Sequence, residues 1–229
     1  MSPIPSIDKP ADLTHVDAWL FDLDDTLYPA ETALMDLIRE RITQFVMKIT
    51  GLDFDGAYQI QRGWFEAHGA ALPGLLAEHN VTPTEFLTYV HDIPLDRVPP
   101  DPELRTAIQR LPGRKLIFTN GAEHHALRVM EKIGVADLFE GVFHIESADL
   151  IPKPHPDTYA KLIGDFSLAP AHTAFFEDSE RNLEHAASLG MTTVLVGPHA
   201  EHSTADFIHH RTAKLTPFLM RARVKGPSL

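Results

Sequence analysis

Short apolar runs and helix-spaced apolar positions alternate along this chain. Ala18-Trp19-Leu20-Phe21 is apolar throughout and stops at Asp22, the pattern of a strand buried on both faces of a parallel sheet. Similar runs return at Lys115–Phe118, Val142–Ile145, Thr173–Phe176 and Thr193–Val196. Between them Leu127, Met130 and Ile133 recur every third residue, with Gly134 placed as a C-cap. Tyr159, Leu162, Ile163 and Phe166 keep the same helical period. Ser179 is placed as an N-cap for a helix through Leu183, Ala186 and Ala187, closed by Gly190. Strand–helix–strand alternation at this spacing predicts an α/β fold with a mostly parallel sheet.

The interval from 30 to 100 breaks the rhythm. Leu34, Ile38, Phe45 and Ile49 lie at helical spacing before Gly51, and 53–69, 72–79 and 84–92 read as further helices. No strand pattern occurs there. The interval therefore reads as an all-helical insertion between the first two strands, with the stiff Arg97–Pro102 segment as its return hinge. The tail carries Arg211, Lys214, Arg221, Arg223 and Lys225, and reads as a solvated basic segment.

Composition narrows the class. The 229 residues suffice for one domain with a large insertion or for two small ones. There is no Cys, which removes disulfides, thiolate metal sites and cysteine nucleophiles. A net charge of −12 repels phosphate backbones and argues against nucleic-acid binding. The first ten residues show no basic segment followed by an apolar one, and no apolar run reaches the ~20 residues of a membrane span. A cytoplasmic protein without a membrane partner is expected.

The reactive residues cluster just past the strand ends. Asp22 and Asp24 follow the first run, Thr119-Asn120-Gly121 the second, Lys153 the third, and Glu177-Asp178 the fourth. Loops at the carboxyl ends of parallel strands converge on a ligand site. These side chains suit phosphoryl transfer. Carboxylates such as Asp22 and Asp178 can hold Mg²⁺, a hard cation that takes oxygen ligands, and Lys153 adds a positive charge on a backbone stiffened by flanking prolines. The Thr119 hydroxyl and backbone N–H groups from Asn120 onward can bind phosphate oxygens. One carboxylate can attack phosphorus while a second protonates the leaving oxygen; mutual repulsion between Asp22 and Asp24 would keep one of them protonated. Asp25 reads as a turn residue. Each fragment alone is an ordinary turn or helix start, and their shared position gives the set its meaning.

The order Asp22-Leu23-Asp24-Asp25-Thr26, Thr119, Lys153 within Pro-Lys-Pro, and Glu177-Asp178-Ser179-Glu180-Arg181-Asn182 resembles the haloacid dehalogenase-like hydrolase superfamily from about residue 15 to 200. The resemblance implies a Rossmann-like core with a helical cap inserted after the first motif: residues 1–29 and 101–229 as catalytic core, 30–100 as cap. It implies Asp22 as the nucleophile that becomes phosphoaspartate, and Asp24 as acid and then base. It implies Mg²⁺ held by the Asp22 carboxylate, the Asp24 backbone carbonyl and Asp178, with Thr119, Asn120 and Lys153 on the phosphate. Asp22–Pro29, Phe118–Gly121, Phe176–Ser179 and Tyr89–Ile93 are most similar to the pyrimidine 5′-nucleotidase-like group. Asn182 stands where many such phosphatases carry a further aspartate, and Glu177 is the candidate to replace that charge.

The expected activity is hydrolysis of a small phosphorylated metabolite, with a pyrimidine nucleoside 5′-monophosphate first. A sugar-phosphate or phosphoglycolate-type phosphatase, a phosphomutase, and a non-catalytic phosphate-binding or phosphoaspartyl receiver-like module are the alternatives. Tyr58, Trp64, Phe65, His68, Phe86, Tyr89 and His91 in the cap could meet a base, although most aromatics at helical spacing are core. Of the 14 histidines, the adjacent pairs His124-His125 and His209-His210 read as surface residues, with one of the first pair near the phosphate as the exception.

Overall fold

Apolar runs that need burial on both faces dictate a sheet with helices on each side, and the computed structural model, which describes residues 10–226, has that layering. Six parallel strands, β1 (Ala18–Phe21), β2 (Arg114–Phe118), β3 (Gly141–Phe143), β4 (Thr173–Glu177), β5 (Thr192–Val196) and β6 (His210–Thr212), lie in the order β3-β2-β1-β4-β5-β6. Register is set at the centre, where Phe21 pairs with Ile117 on one side and Phe176 on the other. The order reverses at β1, so the crevice where ligands bind in such sheets opens beyond Phe21.

Alternate strand residues serve opposite layers. Trp19, Phe21, Ile117, Phe176 and Val194 point into one cluster, covered by α5 (Pro102–Gln109), α6 (Glu123–Ile133) and α9 (Leu215–Arg221). Phe21 stacks on Phe176 there with ring centroids 4.7 Å apart. Leu20, Leu116, Phe118, Phe175 and Leu195 face the other cluster, under α7 (Pro156–Phe166) and α8 (Glu180–Ser188). Ser179 occupies the N-cap position of α8 without a side-chain capping bond.

Between β1 and β2 come α1 (Leu34–Thr50), α2 (Phe54–His68), α3 (Ala71–Glu78) and α4 (Pro83–His91), the helical cap the sequence pattern predicts. Phe45, Trp64, Leu72, Leu75, Phe86 and Val90 make its own apolar cluster. The first turns of α1 belong elsewhere: Leu34 and Ile38 pack into the sheet's cluster. In α3, a Cβ on Gly74 would lie 2.2 Å from the Trp64 ring, so only glycine lets the indole rest on that helix.

Three elements go beyond the sequence reading. The helix α5 follows the Pro-rich hinge, and β6 with α9 occupies the tail expected to be solvated. Arg211 there is not a free surface charge. Its guanidinium donates to the carbonyls of Ser203, Ala205 and Ile208, closing the loop before β6. Arg223 and Lys225 pair with Asp12 and Asp17.

The cap meets the core where α2 ends. Gly69 has φ +82°, and a Cβ there would stand 2.6 Å from the Lys153 carbonyl oxygen. Gly69→Ala combines a left-handed strain with this clash, so a melting measurement is expected to show a loss of about 1–3 kcal/mol. Catalytic efficiency falls with it, because the α2–α3 turn is pushed away from Lys153.

Candidate active site

Asp22 is the first residue past β1, and Lys153 reaches it from the loop before α7. The Lys153 side chain is 1% exposed, and its ammonium donates to Asp22 Oδ1 at 2.6 Å, Glu177 Oε2 at 2.7 Å and the Phe118 carbonyl at 2.8 Å. Those partners sit at the ends of β1, β4 and β2 respectively. Burial would strip the charge from this lysine, but the two carboxylates outweigh it and raise its pKa.

Asn120 holds the lysine loop. Its Oδ1 accepts from the Lys153 backbone N–H at 2.8 Å, and its Nδ2 donates to the Lys153 carbonyl at 3.2 Å. The Asn120 side chain is therefore spent on Lys153, while the group expected at the phosphate is its backbone N–H. Among the described residues the Asn120 backbone N–H has no hydrogen-bond partner. Thr119 is buried beside Asp22, with its Oγ1 accepting from the Gly121 N–H.

Asp24 has a different setting from Asp22. Its Oδ1 accepts from His125 Nε2–H at 2.9 Å and from the Tyr28 hydroxyl at 2.6 Å. Its Oδ2 lies on the side of Gly121 and Thr119, within 3.6 Å of where a Gly121 Cβ would be. Burial works to raise the Asp24 carboxyl, but His125 and then Tyr28 overcome it and hold it below the usual range. Asp22 goes the other way: burial first, then Glu177, push it well above the ordinary value despite Lys153. Of the two aspartates, one of which was expected to be kept protonated, Asp22 is the one pushed up, by burial and Glu177 ahead of Asp24. His125, taken as a surface residue from its pairing with His124, is fully buried. It stacks on His91 with centroids 4.5 Å apart, and burial drives His91 down to about 3. The helical spacing of His125 with Val129 and Met130, both core, was the available signal.

Asp178 opens onto the same cavity. It is solvent-exposed there, yet partial desolvation of its carboxyl, then Glu177 and Asp22, raises it to about 9. Asp22, Glu177 and Asp178 each bring a carboxylate oxygen within 4.8 Å of the others. Three carboxylates facing one lysine leave excess negative charge, which adds to burial in working against the ionisation of Asp22 and Asp178. An all-oxygen donor set with that excess fits a hard dication such as Mg²⁺. Asp24 stays out of this carboxylate cluster because its side chain is tied to His125 and Tyr28. Asn182 lines the cavity, and its carbonyl accepts from Tyr159. Asp25 takes a turn conformation, φ 59°, as its composition predicts.

The cavity over these groups measures about 390 Å³ and is roofed by the cap. Of the cap aromatics, Tyr58, Phe65, Phe86 and His91 line it, whereas Trp64 and Tyr89 pack within the cap. Arg41 lies over the Tyr89 ring instead.

Residues 16–190 match the model of haloacid dehalogenase-like hydrolases. The chain is 30% identical over 194 residues to phosphate metabolism protein 8 of Saccharomyces cerevisiae, across 77% of this chain and 60% of that protein. It is 26% identical over 125 residues to (S)-2-haloacid dehalogenase of Xanthobacter autotrophicus, across 54% of this chain and 49% of that one. The chain therefore spans only about half to three-fifths of these curated relatives. In fold it resembles a haloacid dehalogenase-like phosphatase from Thermococcus onnurineus, with a TM-score of 0.60, 18% identity and coverage of 91% and 100%. The six-stranded parallel sheet, the inserted cap and a family match over most of its length agree: the chain belongs to the haloacid dehalogenase-like hydrolase family.

Proposed function

We propose that this hydrolase cleaves phosphomonoesters through a phosphoaspartate on Asp22, with a pyrimidine nucleoside 5′-monophosphate as the preferred substrate. The carrying observation is the split environment of two aspartates on one loop: Asp22 bonded to a buried lysine, Asp24 bonded to His125 and Tyr28. We take 1–29 and 101–229 as the catalytic core and 30–100 as the cap that encloses the substrate.

In this reading Lys153 aims Asp22 and opposes the upward pull of burial and Glu177 on its carboxyl, and the carboxylate form attacks phosphorus as the ester oxygen departs. The dianionic phosphate raises the Asp24 carboxyl, so it carries a proton on Oδ2 and delivers it to the leaving oxygen. Asp24, now the carboxylate favoured by His125 and Tyr28, takes a proton from water as that water attacks the phosphoaspartate. Phosphate leaves and Asp22 is regenerated. The Thr119 hydroxyl and the Asn120 N–H bind the phosphoryl oxygens. Asp22, Asp178 and the Asp24 carbonyl would hold Mg²⁺, with Glu177 behind them; the ion would supply neutralisation of phosphoryl charge. A halide needs no proton when it leaves, so the Asp24 arrangement favours an ester over a haloacid.

Phosphate release from UMP, CMP, ribose 5-phosphate and phosphoglycolate tests this directly. Release is expected with Mg²⁺, lost with EDTA, and abolished in Asp22→Asn; turnover retained in that variant would rule out the covalent route. Asp24→Asn should lower kcat on UMP by about 10²–10⁴. With p-nitrophenyl phosphate, whose leaving group needs no proton, the same variant should give a burst of one nitrophenol per site. Binding of Mg²⁺ also has a thermal signature. A carboxyl raised to about 9 in the folded state, as Asp178 is, stabilises the metal-free protein below its ordinary value near 4, and that stability is lost as pH rises toward 9. Mg²⁺ needs the ionised form, so it should raise Tm more at pH 8 than at pH 5.

A further inference from the structure

Two polar side chains in the cap's roof over the cavity are nearly enclosed, His91 and Gln61. Gln61 is 8% exposed and lines the cavity from α2, on the stripe that also carries Tyr58 and Phe65 three residues before and four after it. Its Oε1 is 2.6 Å from Thr43 Oγ1 on α1. That hydroxyl also lies 2.9 Å from the Arg39 carbonyl, but it has one proton to give. The contact to Gln61 is the shorter of the two, and 2.6 Å is the length of an O–H···O bond. Thr43 therefore donates to Gln61 Oε1 and fixes the amide plane. The Nε2 amino group is left without a partner among the described residues. The Nε2 is not sealed off from solvent, so it can donate to a ligand that enters the cavity.

We propose that Gln61 is a specificity-determining residue whose Nε2 donates to a ring carbonyl of the leaving nucleoside. This rests on the reading of the cavity as a nucleotide phosphatase site and names the group that reads the base. Ile42, Leu72, Phe86 and the ring of Tyr58 present flat or aliphatic surface in the same cavity, whose lining also includes Arg39, Arg62 and Arg181. The apolar surfaces suit a planar heterocycle whose carbonyl needs one donor, which a uracil or cytosine ring provides. A glycolate or triose chain would leave both the apolar walls and the amide unmatched.

The test compares kcat/KM for UMP with that for ribose 5-phosphate, the same ester without the base, in wild type, Gln61→Met and Thr43→Val. Taking the ratio within one preparation cancels any change in folded fraction. The wild-type ratio should be well above one. Gln61→Met, which keeps length but removes the donor, should reduce it about tenfold through a higher KM for UMP. Thr43→Val keeps the amide and frees its plane, and should give a smaller drop in the same direction. A high wild-type ratio that Gln61→Met preserves overturns the role of Gln61 while leaving the nucleotide reading intact. A wild-type ratio near one, with both esters hydrolysed, overturns the nucleotide reading and this inference with it. No release from either ester by wild type overturns the phosphatase reading itself.

Discussion

The site is organised around one buried ammonium. Lys153 lies in the interior with each of its three protons donated, and its acceptors come from the ends of the three central strands. A buried cation is tolerated only when its partners are placed for it, and removing one partner leaves an uncompensated charge. That requirement ties the strand ends together and fixes Asp22 in position. It also explains the use of the Asn120 amide, which clamps both backbone polar groups of Lys153. The cap is registered to the same point, because Gly69 rests against the Lys153 carbonyl.

From this anchor the two aspartates acquire opposite properties. Asp22 shares its surroundings with Glu177 and sits near Asp178, so negative charge accumulates where a lysine and a dication can act on it. Asp24 faces outward from that cluster toward donors, His125 Nε2–H and the Tyr28 hydroxyl, which favour its carboxylate. Only Leu23 separates them in the chain, yet one is bonded to a buried ammonium and the other to an imidazole and a phenol. His91, at the end of α4, stacks on His125, so the cap reaches the imidazole that holds Asp24. Arg128 of α6 reinforces that seam by donating to the carbonyls of His91 and Ile93.

Much of the architecture was legible in the chain. Apolar runs buried on both faces give β1, β2, β4 and β5, and the helical spacing across 34–91 gives the cap, because these patterns follow from burial alone. The acidic and basic residues beyond the strand ends were visible for the same reason. The strand β6 was not, since three residues beginning with His210 and Arg211 carry no apolar run; it forms because Val194–Val196 offers an unpaired edge. The basic tail was misread because sequence does not show that Arg211 has three carbonyls waiting for it.

The sequence by itself determined the layered α/β plan and which residue types reach the crevice, through local periodicity and strand polarity. Tertiary structure alone decided their roles. It assigned Asn120 to Lys153, put His125 behind Asp24, raised Asp22 and Asp178 in place of Asp24, and turned Gln61 of the cap toward the cavity. Each of these depends on groups far apart in the chain meeting in a low-dielectric interior, where hydrogen bonds and unpaired charges are worth far more than at the surface.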